Sequence, residues 1–144
     1  IKECPMILIK NTKAYMRMAE IWALNSKAKR LKVGCLIVKN NAIISDGYNG
    51  TPTGFDNECE FEIDGKFITK PEVLHAESNA ITKLACSAQS SEGATLIITT
   101  APCYECSKLI IQSKITNVYY KHTYRSMEGI NILKDSNIHV CQIQ

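Results

Sequence analysis

The sequence predicts one α/β domain, a sandwich of sheet and helices with parallel strand pairing in its second half. Two observations carry this. From residue 75 onward, segments of helical period alternate with short β-branched runs, the order of a sheet built by crossover connections. Across the 144 residues no repeat, low-complexity tract or Pro/Gly/Ser-rich linker divides the chain, so residues 1–144 are expected to form a single domain with its own core.

Residues 11–25 place Tyr15, Met18, Ala19, Trp22 and Ala23 on one stripe at helical spacing, and the stripe, Trp22 included, is expected to pack into the core. Val33–Val38 and Ala42–Ser45 are strands joined at Asn40-Asn41, a hairpin connection. Gly47 to Gly54 (GYNGTPTG) concentrates glycine and proline in a loop that lets a ligand approach the backbone closely. Phe61, Ile63, Phe67 and Ile68 flank Asp64-Gly65 in a second, smaller hairpin. Pro71 leads toward a helix over about 75–86. Ala94–Thr100 follows as a strand and Cys103–Ser113 as a helix with Pro102 at its first turn. Val118–Tyr120 is a strand, Met127–Leu133 a short helix and Ile138–Val140 the last strand.

Composition narrows the function classes. Hydrophobic residues at 45% and charged residues at 22% are globular rather than disordered. No apolar run nears the roughly 20 residues of a membrane span, so no membrane partner is expected. No basic start followed by an apolar stretch and a small-residue cleavage site is visible, so no secretory leader is expected. The chain opens at Ile1 rather than Met, and a few trimmed residues are expected before it. Lys and Arg total 17 against 14 acidic residues, a net charge of +3 that suits an anionic small molecule as well as a nucleic acid. The pI near 8.5 falls short of the value above about 9 expected of a nucleic-acid-binding domain, so the charge alone decides little. The seven cysteines are odd in number, which argues against a disulfide framework and for a reducing compartment, the cytoplasm or a host's cytoplasm for a viral chain. Five of them sit singly in apolar surroundings, where cysteine is a small buried hydrophobe. Cys103 and Cys106 instead form a close pair.

That pair and one other fragment carry the chemistry. His75-Ala76-Glu77 and Pro102-Cys103-Tyr104-Glu105-Cys106 each stand at the start of an expected helix, where ligands gather in open α/β sheets. The helix dipole favours thiolates at a first turn. His75, Cys103 and Cys106 supply three zinc ligands, one fewer than a closed structural site, so the fourth position is left for water. Zinc makes that water acidic near neutral pH, and Glu77 can relay its proton. Residues two apart in a helix interior diverge by about 200°, so the arrangement requires a metal lying off the helix end. A lone C-x-x-C is also a redox pair or half of a structural site. H-x-E together with P-C-x-x-C is much more specific, being a signature of zinc deaminases.

With Ser26-Lys27, Arg30 and Val33-Gly34, then Gly47-Tyr48-Asn49-Gly50-Thr51-Pro52, HAESNAI (75–81), TTAPCYECSKLII (99–111), Val118-Tyr119-Tyr120 and Tyr124, the chain resembles the deoxycytidylate (dCMP) branch of the cytidine/deoxycytidylate deaminase superfamily over about residues 12–141. The resemblance implies a three-layer α/β/α fold with a mixed five-stranded central sheet and helices on both faces. It implies zinc-dependent hydrolysis of dCMP to dUMP and ammonia, supplying dUMP for thymidylate synthesis. His75, Cys103 and Cys106 map onto the zinc ligands, Glu77 onto the proton shuttle and Asn49 onto the residue that holds the deoxyribose. Backbone at Ala76 and Cys103 is expected at the base edge. Ser26 and Arg30, within the basic run Lys27, Lys29, Arg30 and Lys32, are expected at the 5′-phosphate, with Tyr120, Tyr124 and Arg125 as further candidates.

The resemblance further implies a homo-oligomer, commonly a hexamer. It also implies regulation by dCTP as activator and dTTP as inhibitor, with Mg2+ accompanying a triphosphate effector. Gly50, Thr51, Asn79 and Lys83 are the allosteric candidates. One departure concerns metal count. Ala28 stands where many relatives have a cysteine for a second, structural zinc, and Pro71-Glu72-Val73-Leu74 offers no cysteine or histidine. The second zinc is therefore doubtful, and the 60–70 hairpin is the candidate brace in its place. Two other readings compete. A tRNA-type nucleobase deaminase shares both zinc motifs but wants a wider basic surface and lacks the GYNG loop. A non-catalytic zinc protein has no use for Glu77.

Overall fold

A computed structural model describes residues 9–144. Helix α1 (Thr12–Ala23) leads into strands β1 (Gly34–Lys39) and β2 (Ala42–Tyr48), followed by a separate hairpin of β3 (Glu60–Ile63) and β4 (Lys66–Thr69). Helix α2 (Ala76–Ala85), strand β5 (Thr95–Thr100), helix α3 (Tyr104–Gln112), strand β6 (Asn117–His122), helix α4 (Glu128–Asp135) and strand β7 (His139–Gln142) then alternate. The five-stranded sheet runs β2-β1-β5-β6-β7. Its β2-β1 and β1-β5 pairs are antiparallel, whereas β5-β6 and β6-β7 are parallel. This is the mixed sheet that the resemblance implies, and the parallel half is the half in which strand and helix alternate.

Side-chain period two sorts each strand onto two cores. Cys35, Ile37, Leu96 and Ile98 face α2, α3 and α4 through Ala80, Leu84, Ile110, Ile130 and Leu133. Leu36, Val38, Ile97 and Tyr119 face α1 through Tyr15, Met16 and Ala19. Three helices on one side and one on the other make three layers. Because both faces are covered, β5 is buried along its whole length, which explains its uninterrupted apolar and β-branched sequence.

Both expected hairpin turns form. Asn40 and Asn41 have φ of 51° and 60°, and Asp64 and Gly65 have 52° and 76°. Two left-handed residues in a row match the twist of the flanking strands, and Asn, Asp and Gly tolerate that region. Strand β2 runs to Tyr48, so the first residues of the GYNG segment are strand and only the remainder is loop.

The α1 stripe differs from the expected one. Its buried residues are Thr12, Tyr15, Met16, Ala19 and Ala23, whereas Met18 and Trp22 are exposed. At 100° per residue Met18 and Trp22 lie roughly 80–120° off the stripe's centre, and the small Ala19 and Ala23 take the contact with the sheet. Trp22 is therefore no core residue; it meets Tyr48 edge to face at 6.2 Å between ring centroids. Cys141 is buried and disulfide-bonded, so it is not the free thiol expected, and the expectation of no disulfide fails at this residue. Among the described residues no helix is long and apolar enough to cross a membrane.

Two close approaches fix where α2 and α3 begin. A Cβ on Gly47 would lie 2.5 Å from the Ala76 carbonyl oxygen and 2.7 Å from the Ala80 nitrogen, so only glycine lets α2 rest directly on β2. A Cβ on Gly129 would collide with the Pro102 carbonyl and lie 2.9 Å from the Cys103 carbonyl, so α4 packs against the turn that enters α3. Gly47→Ala is expected to push α2 off the sheet at a cost of about 1–3 kcal/mol. Thermal unfolding checks this; an unchanged Tm would show that the helix accommodates the methyl.

Candidate active site

The two motif fragments meet at two helix N-termini. His75 is the N-cap of α2, in extended conformation, and Cys103 is the N-cap of α3. Both lie just outside their helices, which removes the angular difficulty of a ligand and a carboxylate two residues apart. The Ser78 hydroxyl donates to the His75 carbonyl at 2.9 Å and holds that cap. Across the gap, His75 Nδ1 is 3.5 Å from Cys103 Sγ and 3.3 Å from Cys106 Sγ. The Cys106 backbone N–H donates to Cys103 Sγ at 3.5 Å.

These separations fit a tetrahedral zinc, whose usual bond lengths set nitrogen and sulfur about 3.5 Å apart. The donor atoms lie within 4.8 Å of one another, and no other such group occurs among the described residues. The electrostatics suit a cation as well. The hydrogen bond from Cys106 and the neighbouring His75 pull the Cys103 thiol well below the usual range, while the same pairing pushes Cys106 up. The His75 ring is raised by its hydrogen bond to Cys103. A site that concentrates shared protons on two sulfurs and an imidazole is one in which a metal can take their place.

Glu77 is buried, with 3% of its surface exposed. Burial raises its carboxyl to about 7, against smaller opposing effects from the helix-start backbone and from His75. A carboxyl poised there can both take and give a proton at neutral pH.

A cavity of about 430 Å³ opens beside the cluster, with His75, Ala76, Glu77 and Cys103 in its wall. Asn49, Arg30 and Tyr124 line it too, as does Arg125. The Asn49 amide is clamped, its Oδ1 accepting from the Val33 N–H and its Nδ2 donating to the Leu31 carbonyl, both at 2.8 Å. Ser26 stands behind this wall, donating to the Asn49 carbonyl at 2.8 Å and accepting from the Ala28 N–H. Tyr120 is not on the wall; it is buried in the core on β6. The four allosteric candidates lie off the cavity. Gly50 forms a two-bond bridge with Leu74, Asn79 donates to the Tyr48 carbonyl, Lys83 pairs with Asp46 at 2.7 Å, and Thr51 is half-buried in the loop.

Glu60 and Thr69, which sequence reasoning did not single out, also line the cavity. The Glu60 carboxylate accepts the backbone N–H groups of Lys29 and Arg30 at 2.9 and 3.1 Å. Beside Ala28, a carboxylate on the β3–β4 hairpin thus holds the basic loop. The only sequence signal is an acidic residue opening a short strand, which means little until the docking of the hairpin is known.

Three protein ligands with an acid beside them form the arrangement of a hydrolytic metal site, one ligand short of a structural one. The chain belongs to the family described as "Cytidine and deoxycytidylate deaminase zinc-binding region", whose profile matches residues 9–122. It is 36% identical over 118 residues to the Caenorhabditis elegans protein named "Probable deoxycytidylate deaminase", covering 78% of this chain and 57% of that one. It is 35% identical over 136 residues to deoxycytidylate deaminase of Saccharomyces cerevisiae, covering 89% of this chain and 43% of that one. The chain thus spans about half the length of these two relatives. A crystal structure of dCMP deaminase from the cyanophage S-TIM5, in complex with dCMP and dUMP, superposes with a TM-score of 0.89 at 43% identity, covering 96% of this chain and 100% of that one.

Two outcomes follow from the geometry. His75→Ala is expected to lower zinc content well below one ion per chain by metal analysis, and wild-type stoichiometry would reassign the ligands. In the metal-free protein, Glu77 keeps a proton between its unfolded value of 4.5 and about 7 that the unfolded chain has lost. Stability therefore falls as pH rises through that window, and above it Glu77→Gln is the more stable protein by up to about 3 kcal/mol. Melts of chelator-treated protein across this range check the sign; parallel curves for the two proteins would refute it.

Proposed function

We propose that this chain is a dCMP deaminase, converting dCMP and water to dUMP and ammonia with one zinc per chain. The observation that carries the reading is a buried carboxyl beside an open His-Cys-Cys cluster, in a cavity whose wall holds two arginines. The crystallised S-TIM5 dCMP deaminase, with dCMP and dUMP bound, supports the choice of substrate.

Zinc held by His75, Cys103 and Cys106 would supply an acidic water as nucleophile. The chain's own groups do the rest. Glu77 would take one proton of the attacking water and give it to the ring nitrogen next to the amine-bearing carbon. It would then take the second proton from the new hydroxyl and give it to the departing amine, so that one water proton ends on the ring and the other on ammonia. Burial disfavours the charged form of this carboxyl, which is the direction a group that must give a proton back requires. The Ala76 backbone, one residue from both ligand and shuttle, stands where it can meet the base edge. The clamped Asn49 presents a fixed amide to the sugar, and a fixed donor costs less entropy to use than a mobile one. The guanidinium groups of Arg30 and Arg125 suit a 5′-phosphate through paired N–H donors.

The wider reading includes a homo-oligomer, expected as a hexamer, for which the exposed apolar Met18, Ile21 and Leu24 offer surface. It includes control by dCTP and dTTP with Mg2+, for which the Gly50–Leu74 bridge links the GYNG loop to the segment ending at His75.

Loss of cytosine absorbance on dCMP and on deoxycytidine tests the reading. Zinc-loaded protein is expected to turn over dCMP and to neglect deoxycytidine. Glu77→Gln is expected to retain zinc and lose about 10²–10⁴-fold in kcat. Full activity in that variant, or no activity of wild type on either substrate, would sink the proposal.

A further inference from the structure

The β3–β4 hairpin grips Arg30 twice. In its register Glu60 pairs with Thr69, so both side chains stand on one face of the ribbon. From that face the Glu60 carboxylate accepts the Lys29 and Arg30 backbone N–H groups through a single oxygen, Oε2. Thr69 Oγ1 accepts from the Arg30 guanidinium at 3.3 Å. One cross-strand pair thus fixes both the main chain and the side chain of an arginine on the cavity wall, and all three residues line that cavity. Glu60 is 8% exposed. A carboxylate buried that far beside a pocket proposed to take an anion works against binding unless its charge is engaged, and here two main-chain donors engage it.

We propose that Glu60 is a positioning residue for phosphate recognition, acting through Arg30 and never touching the substrate. This rests on the dCMP reading. An arginine on a free loop would lose side-chain and backbone freedom each time it closed on a phosphate; one held at both ends has lost it already. The device concerns substrate binding, remote from the reacting carbon, so its removal affects KM and leaves the chemical step alone. The group required is an acceptor oxygen rather than a negative charge.

The test compares wild type, Glu60→Ala and Glu60→Gln as zinc-loaded proteins, with kcat and KM on dCMP and on deoxycytidine. Glu60→Ala is expected to raise KM for dCMP about tenfold, with kcat within about twofold and the slow residual turnover of deoxycytidine, read at high enzyme concentration, unchanged. Glu60→Gln, which keeps the acceptor oxygen, is expected to stay within about twofold of wild type on both substrates. Should Glu60→Ala not fold, Glu60→Asp, one methylene short of the two amides, carries the same expectation. Equal losses on both substrates, or a Gln variant as impaired as the Ala variant, would overturn the role. If wild type prefers dCMP and the variants leave that preference untouched, Glu60 alone is reassigned. If wild type turns over neither substrate, the dCMP reading fails and this inference with it.

Discussion

Everything at the site depends on two backbones lying closer than side chains normally permit. Helix α2 rests on β2 at Gly47, and α4 rests on the Pro102–Cys103 turn at Gly129. The first contact fixes the height of His75 and Glu77 above the sheet, and the second fixes Cys103. The imidazole and two sulfurs meet within 3.3–3.5 Å only because both helices start in register with each other. A shift of an ångström in either would separate them, so the local packing cost and the metal site are one constraint.

That constraint also sets the electrostatics. Helix starts carry unpaired N–H groups and a partial positive charge, which favour a thiolate at Cys103 and accept its sulfur as a cap. The same helix-start backbone at Glu77 favours a carboxylate, but burial opposes it and wins, leaving the group near 7. One kind of structural position therefore lowers a thiol in one helix and leaves a carboxyl raised in the other. Both side chains line the cavity, but Glu77 is almost wholly buried, whereas Cys103 is half-exposed and receives a hydrogen bond from Cys106.

How much of this the sequence disclosed depends on the range of the interaction. Turns were legible because Asn40-Asn41 and Asp64-Gly65 carry their own backbone preference. The meeting of His75, Cys103 and Cys106 was legible because residue type and spacing carry the pattern themselves. The α1 stripe was misplaced because Trp22 and Met18 weigh heavily in any hydrophobic reading, whereas the actual contact selects the small Ala19 and Ala23. Tyr120 looked available beside Tyr124, yet β6 is covered on both faces and its pleat turns that ring into the core. Glu60 was invisible for the opposite reason. Its partners are 30 and 31 residues away in sequence and are main-chain amides, which have no residue signature.

The hairpin itself poses an energetic question. Two short strands, mostly exposed, do not hold together alone in water. Lys70 N–H donates to the Cys59 carbonyl at 2.8 Å, closing the base of the ribbon, and the Lys29 ammonium lies 5.1 Å from the centroid of the Phe67 ring. Each contact is small, about 1 kcal/mol or less for an exposed cation over a ring. The Glu60 bonds are partly buried, and hydrogen bonds to a charged acceptor contribute about 1.5–3 kcal/mol each. Glu60 therefore does two things through one oxygen, docking the ribbon onto the domain and holding the basic loop against the cavity. At this junction beside Ala28 a carboxylate and two main-chain amides hold the ribbon to the basic loop.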